Sequence, residues 1–375
     1  MRHSLVGILV LAAAATLSAA QEGERPLEQV RKEAQAGDAE AQFELATHLS
    51  FSDDGTHDLK QAAVWFRKAA EQGHPEAQEY LGLAYHFGRG VERDLPEAVK
   101  WWRVAAEKGQ PGAQFWLADA YEHGFGVPAD YSEAAKWYRK AAEQGDPHSQ
   151  ASLGDLYADG LGVPKNEAVA VDWYRKAADQ HIASGEYSLG EMYWEGRGVK
   201  RDDAAAVKWF HSAADQNFTV AQTALGEAYE GGRGVPKDLT CAYFWYGIAE
   251  KSGFEMGTSL KGALASKLSP RAIEEAKRMV AASRVENDLL MRPLCAGETL
   301  SISVENAALP DVLAVFRTLS GYEIQVPDEA AAAKLTVKLE NVPWEKALTE
   351  ALGSAGYRWT REGVTITVAR AVNIP

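Results

Sequence analysis

Small, apolar and aromatic residues recur on a 36-residue beat between Asp38 and Gly253, in the units 38–73, 74–109, 110–145, 146–181, 182–217 and 218–253. Positions 4, 5, 8, 9 and 12 of a unit carry the first stripe, read in the third copy as Ala113, Gln114, Leu117, Ala118 and Tyr121. That i, i+4, i+8 spacing predicts one face of a helix of about three turns. A Gly pair follows it, from Gly88/Gly90 to Gly232/Gly234, and supplies a left-handed C-cap without a Cβ penalty. Position 21 is Asp or Asn in every copy, the expected N-cap of a second helix. Glu97 and Glu133 stand three residues after their Asp, which predicts capping boxes. The second helix carries Ala, Trp, an aromatic, Ala and Ala at positions 25, 28, 29, 32 and 33. Its six Trp (Trp65, Trp101, Trp137, Trp173, Trp209, Trp245) are expected in the core, filling space that the Ala leave between helices.

Each unit is therefore an αα-hairpin, and units that bury their apolar faces against neighbours build a solenoid with capped ends. Residues 26–37 read as an N-terminal capping helix, and 254–285 as a C-terminal helical cap with helices at about 258–267 and 270–284. The fold class expected is mainly α: a right-handed superhelix of helix pairs continuous over 26–284. After a linker at 286–298 the apolar period changes to 2, with Leu300, Ile302 and Val304 alternating with polar residues. Residues 299–375 read as β-α-β-β-α-β-β, a small α+β domain with Trp344 and Trp359 in its core.

Two resemblances follow from these residues. The repeat resembles the Sel1-like repeat, a relative of the tetratricopeptide repeat, most cleanly where the third copy ends Ala134-Ala135-Lys136-Trp137-Tyr138-Arg139-Lys140-Ala141-Ala142-Glu143-Gln144-Gly145. The first copy departs from it, lacking the Gly pair at 50–55, and the fifth has Gly185-Glu186 for Ala-Gln. The stretches ISVENAALPDVLAVF, LTVKLENVPWEKALTEAL and GYRWTREGVTITV resemble the short secretin/TonB N-terminal (STN) domain. That resemblance implies contact with other proteins at the periplasmic end of secretins and TonB-dependent receptors. Here the domain follows a repeat array, so the family's partners do not transfer.

Residues 1–20 place Arg2 and His3 before an apolar run, Leu5–Leu17, and end in Ser18-Ala19-Ala20. This is the pattern of a secretory signal peptide, shorter than the roughly 20 residues of a membrane span. The expectation is an exported chain, periplasmic or secreted and soluble, with no direct membrane span. A net charge of -14 argues against nucleic acid as a partner. The two Cys, Cys241 and Cys295, allow one disulfide, clasping the cap to the last repeat, or two unpaired thiols; Cys241 is expected exposed at a helix start. The nine His show no ligand spacing, and the chain carries no phosphate loop, nucleophile elbow or serine–lysine pair. No metal, no cofactor and no enzymatic activity are expected.

One surface pattern remains. Position 10 is acidic in four successive copies (Asp119, Asp155, Glu191, Glu227), and positions 13 or 14 add Glu122, Asp159, Glu195 and Glu230, with Trp194 at the edge. Position 10 lies about 200° from the core Leu of position 8, so a shared solvent face is expected. It reads either as a solvated face or as a site for basic segments of a partner. The functional expectation is an exported periplasmic scaffold serving a secretion, pilus or TonB-linked assembly. The alternative is a binding protein for a cell-wall fragment or exported polysaccharide.

Overall fold

The computed structural model describes residues 25–52, 57–286, 289–291, 295, 299–320, 323–326, 333–362 and 365–370. The expected signal peptide and the first repeat's turn at 53–56 lie outside the described residues. Contacts gather the chain into two compact units, Met1–Asn166 and Glu167–Pro375. In the first, the helix Leu27–Ala36 precedes the pairs Ala39–Phe51 with Leu59–Glu71, Pro75–Phe87 with Leu95–Glu107, and Pro111–His123 with Tyr131–Glu143, then Pro147–Asp159. The second opens on Glu167–Asp179 and continues with Ala183–Glu195 and Asp203–Asp215, then Thr219–Gly231 and Leu239–Lys251. The capping helices run Glu255–Ala265 and Pro270–Ala282. The protein is thus a mainly helical repeat solenoid with a small C-terminal region containing strands.

Local rules set these helices. Asp58, Asp94, Asp130, Asp202 and Asp238 each accept a backbone N–H two or three residues on. The reciprocal arm of the capping box is absent: Glu97 accepts from the indole of Trp101 at 3.0 Å, and Glu133 from Lys136 at 2.6 Å. The N–H of Asp94 instead donates to the carbonyl of Tyr85 at 3.0 Å, and that of Asp130 to Tyr121 at 2.8 Å. The backbone therefore closes each turn itself. The second Gly of each pair is needed for contact as well as for its positive φ. A Cβ on Gly126 would sit 2.4 Å from the carbonyl oxygen of Leu95, and one on Gly234 2.2 Å from that of Asp203. The loop of one repeat thus seats on the first turn of the previous repeat's second helix.

The core corrects one expectation. Position 28 is not the buried aromatic: Trp65, Trp101, Trp137, Trp173 and Trp209 are half-buried, and Trp245 alone among the six is fully enclosed. Position 29 takes the core instead, as Phe66, Trp102, Tyr138, Tyr174, Phe210 and Tyr246. The reason is helical phase: 25, 29, 32 and 33 form one i, i+4, i+7, i+8 stripe, and 28 lies about 100° from it. The position-29 ring lies on position 9 of its own repeat, where a Cβ on Gly82 would meet Trp102 at 2.3 Å and one on Gly226 would meet Tyr246 at 2.2 Å.

Neighbouring repeats are tied by a buried amide at position 5. Gln42, Gln78, Gln114, Gln150 and Gln222 donate to the carbonyls of Ala34, Ala70, Ala106, Ala142 and Ala214, at 2.9–3.4 Å. In the fifth repeat this position is Glu186, whose fully buried side chain accepts from Ser212 at 2.6 Å and Gln216 at 2.7 Å. His181 faces it at 3.5 Å.

Strands begin earlier than expected, at the end of the helical cap: β1 (Arg284–Glu286) pairs antiparallel with β2 (Leu289–Met291), which lies in the expected linker. Next, β3 (Thr299–Ala308) pairs antiparallel with β5 (Lys334–Pro343). A three-stranded sheet orders β4 (Glu323–Gln325), β7 (Thr365–Arg370) and β6 (Tyr357–Glu362), with β4 parallel to β7. Leu309, Val312, Leu313 and Phe316 of Leu309–Ser320 meet Trp344, Leu348 and Leu352 of Trp344–Ser354 in one core. Trp344 is fully buried and donates to the carbonyl of Cys295 at 3.0 Å; Trp359 packs half-buried beside it.

Two stability outcomes follow. Tyr138→Ala should cost about 3–5 kcal/mol, as emptied aromatic core sites do, and Trp137→Ala about half that or less, read by urea denaturation. Equal losses would contradict the assignment of position 29 to the core. Burial raises the Glu186 pKa, with the hydrogen bonds from Ser212 and Gln216 and the charge of His181 opposing it. A carboxyl whose folded pKa is raised contributes stability that is present below its unfolded pKa and lost as pH rises through the folded one. Glu186→Gln should therefore match the native chain near pH 4 and exceed it by about 1 kcal/mol at pH 8, the worth of one restored hydrogen bond. A stability difference that does not change with pH would refute this reading.

Candidate functional site

The acids singled out by the sequence fall in both units. In the first, Asp119 and Glu122 come from Pro111–His123, and Asp155 and Asp159 from Pro147–Asp159. Asp155 and Asp159 are exposed, whereas Asp119 and Glu122 are half-buried. Asp119 holds His123 at 3.2 Å, and that hydrogen bond is the main cause pushing the imidazole up to about 9. Glu122 accepts from the Tyr138 hydroxyl at 2.8 Å, and burial raises its carboxyl. So Asp119 and Glu122 serve internal bonds.

The second unit repeats the division. Glu195 and Glu227 are exposed, while Glu191, Glu230 and Trp194 are half-buried. Tyr187 donates to Glu191 at 2.7 Å, and Tyr246 to Glu230 at 3.1 Å. Lys267 also donates to Glu230, at 2.7 Å, and holds that carboxyl below its ordinary range. Glu227 moves the other way, raised first by burial and then by the charge of Glu230. Burial likewise leads the rise at Glu191, with Glu195 adding to it. Trp194 is not an open face: the guanidinium of Arg233 lies 3.5 Å over its ring, anchored to Asp203 at 2.8 Å. The expectation of one solvent face is therefore corrected, because tyrosines reaching from positions 6 and 29 draw the carboxylates inward.

Sequence reasoning passed over Glu79. It stands at position 6, where neighbouring repeats carry Phe43 and Phe115, and burial pushes its carboxyl up to about 7. Gly112 makes its room, since a Cβ there would lie 2.3 Å from the Glu79 Oε1. Position 6 is Phe43, Phe115, Tyr187, Ala151 or Thr223 in the other repeats, so the one acid among uncharged residues was the available signal. Among the described residues no cluster of three or more His, Cys, Asp or Glu is placed to hold a metal. Nor is any helix among them long and apolar enough to cross a membrane.

Cys241 and Cys295 are joined by a disulfide with Cα atoms 5.8 Å apart. Both are buried, at 4% and 0% exposure, which corrects the exposed position expected for Cys241. Asp238 still caps its N–H at 3.0 Å, but the side chain points into the cluster around Phe244 and Met279.

Comparison with known proteins fits this geometry. The Sel1 repeat model matches residues 39–74, 75–110, 111–146, 147–181, 183–218 and 219–254, more than half of the chain. The chain belongs to the Sel1 repeat family. Among solved structures, this Sel1 repeat protein is similar to c5321, a protective antigen of uropathogenic Escherichia coli with an SLR fold, at 37% identity and a TM-score of 0.60. That match covers 69% of the present chain and 56% of c5321, so the chain spans little over half of that relative. A Sel1 repeat protein from Oxalobacter formigenes matches at 32% identity and a TM-score of 0.55, over 60% of this chain and 100% of its own. A search of the curated proteins returns no match. Sel1 repeats mediate protein–protein interactions and are typically non-enzymatic scaffolds.

The disulfide generates a prediction for this Sel1 repeat protein. It closes a loop of 54 residues, and constraining such a loop in the unfolded chain stabilises by about 2–4 kcal/mol. Cys295→Ser should lower stability by that amount and raise hydrogen exchange around Trp344, which bonds the Cys295 carbonyl. Unchanged exchange there would show that the bridge carries no such role.

Proposed function

We propose that the protein is an exported periplasmic scaffold that holds protein partners through basic segments and joins them to an envelope assembly. The carboxylates Glu191, Glu195, Glu227 and Glu230 on consecutive repeats carry this reading. Glu195 raises Glu191 and Glu230 raises Glu227, a repulsion that Arg197, 3.4 Å from Glu195, and Lys267, 2.7 Å from Glu230, offset only in part. A lysine- or arginine-rich segment relieves that repulsion, and charges so placed steer a cationic partner mainly through its on-rate. The second module, at 299–375, resembles the STN domain. Among the described residues β3 and β5 pair only with each other, which suits a partner that adds a strand at an edge.

The alternative, a binding protein for a cell-wall fragment or polysaccharide, draws on the half-buried Trp of position 28, since indole faces stack on sugar rings. Lysines already lie over three of them, Lys68 over Trp65, Lys140 over Trp137 and Lys176 over Trp173, at 3.8–3.9 Å. Occupied faces favour the protein-binding reading.

A fluorescein-labelled decalysine peptide tests it by anisotropy on the full chain. Binding should weaken at least tenfold between about 20 and 150 mM salt, as the Debye length falls to about 8 Å. Glu195→Lys with Glu227→Lys should abolish it and leave the helical circular dichroism intact, because both side chains are exposed. Equal binding by the double variant would return the row to a solvated face.

A further inference from the structure

Neighbouring repeats share a further hydrogen bond, from position 30 to position 12 of the following repeat. Arg67 donates to the Tyr85 hydroxyl, Arg103 to Tyr121 at 2.9 Å, and Arg139 to Tyr157 at 2.6 Å. Arg31 of the N-terminal helix stands at the same position, 36 residues before Arg67, with Leu49 where the tyrosine would be. The joint between the second and third repeats has this bond in common with others and differs from them at position 13. The residue there is His86, where the other repeats carry Ser50, Glu122, Ala158, Trp194 and Glu230.

Position 13 meets the position-29 ring of its own repeat. Glu122 and Glu230 accept from Tyr138 and Tyr246, and Trp194 packs on Phe210 at 5.8 Å. His86 instead lies against Trp102, with ring centroids 5.5 Å apart. The third repeat encloses it further: Trp116 comes within 6.2 Å of the imidazole and Phe125 within 5.7 Å, and Trp116 stacks on Trp102 at 5.7 Å. Phe87 adds a fourth ring at 4.6 Å. His86 is 8% exposed, and its buried Nδ1 has no hydrogen-bond partner among the described residues.

A neutral imidazole tolerates that setting, because it carries one N–H and can leave Nδ1 bare. An imidazolium carries an N–H on both nitrogens. The one on Nδ1 would be a buried donor without an acceptor, and the charge would sit among apolar rings; both cost free energy. The charged groups around His86 do not offset this. Asp119, from the third repeat, favours the charged ring, but its carboxylate already holds His123 at 3.2 Å. His123 is itself a cation up to about pH 9 and stacks on Phe125 at 5.3 Å. Arg93 opposes the charge while its Nε donates to the His86 carbonyl at 2.9 Å, and Arg89 lies 5.3 Å from the Phe87 ring. Burial leads, and it holds the imidazole below its ordinary range.

We infer that His86 is an acid-sensitive latch: a proton taken up by its ring loosens the joint between the second and third repeats. A base whose folded pKa is lowered contributes stability that is present above its unfolded pKa and lost as pH falls below it. Glu186 has the opposite sign, since its joint weakens as pH rises. Acid therefore firms one joint of the array and loosens another.

Hydrogen exchange on the full chain at pH 7.5 and pH 5, corrected for the intrinsic pH dependence of exchange, tests this. Glu79, on the same helix, is pushed up to about 7 and favours the closed joint in acid. The readout is therefore the native chain against His86→Phe, which keeps a ring and cannot take a proton. Between the two pH values, opening of segments 81–87 and 113–120 should rise about threefold or more in the native chain relative to the variant. Segments 153–157 and 189–193 should keep a constant ratio. Should His86→Phe fold poorly, His86→Ala gives the same comparison, since Ala158 fills position 13 of the fourth repeat. Proton NMR, with the His86 signal assigned by its loss in the variant, should show the ring mostly neutral at about pH 6.5, where an ordinary histidine is half protonated. A constant ratio at 81–87, or a His86 ring mostly charged at that pH, would overturn the proposal.

Discussion

The aromatic side chain at position 29, lying on the small residue at position 9, is the contact on which the repeat depends. Where Trp102 lies over Gly82 and Tyr246 over Gly226, even one methyl group on the glycine would collide with the ring. In these repeats the two helices therefore meet at one distance and one rotation, whereas Ala46 and Ala118 put that methyl at position 9 of the first and third. That rotation aims positions 5 and 30 at the adjoining repeats, so the Gln–carbonyl and Arg–Tyr bonds inherit their geometry from the aromatic contact. It also turns position 28 out of the core. The invariant Trp is then a groove-filling residue, and lysines three positions on cover several of its faces.

Much of this architecture is legible in the sequence because it is written several times over. Repetition averages out local ambiguity: one Asp before an apolar run is a weak N-cap signal, while the same residue at position 21 in every copy is a strong one. The helix ends, the Gly turns and the strands near Thr299 and Tyr357 all follow from period and cap chemistry. What repetition could not reveal was phase. Positions 28 and 29 are both aromatic, and only the spacing to Ala62, Ala69 and Ala70 separates them. The capping boxes failed for a related reason: Glu97 has a second option in the Trp101 indole, four residues away on its own helix.

The candidate site shows the same limit in electrostatic form. A helical wheel places Glu122, Glu191 and Glu230 on a solvent face, but it does not see a tyrosine hydroxyl arriving from another turn or helix. Tyr138 and Tyr246 stand 16 residues after their acids, a spacing that recurs and could have been read from the sequence. Each bond removes one carboxylate from the surface, while Glu195, with Arg197 3.4 Å away, and Glu227 stay exposed. The charge available to a partner is thus fixed by the core tyrosines, so the stability and the binding properties of these repeats are not independent.

Departures from the repeat carry more information than the repeat itself. A joint used many times reports only that it packs. Where it is altered, the surrounding residues keep the old geometry and the alteration stands against a known background. Glu186 occupies a slot shaped for an amide, and Ser212, Gln216 and His181 gather around its carboxylate. Leu49 stands at position 12 of the first repeat, where every later repeat carries tyrosine. The first is an exchange compensated within the protein, which makes that joint sensitive to pH. The second takes a hydroxyl away from the joint and leaves the buried Nε of Arg31 without a partner among the described residues, at a cost in stability. An array built from near-identical parts can thus set the properties of one joint alone, by exchanging one side chain there.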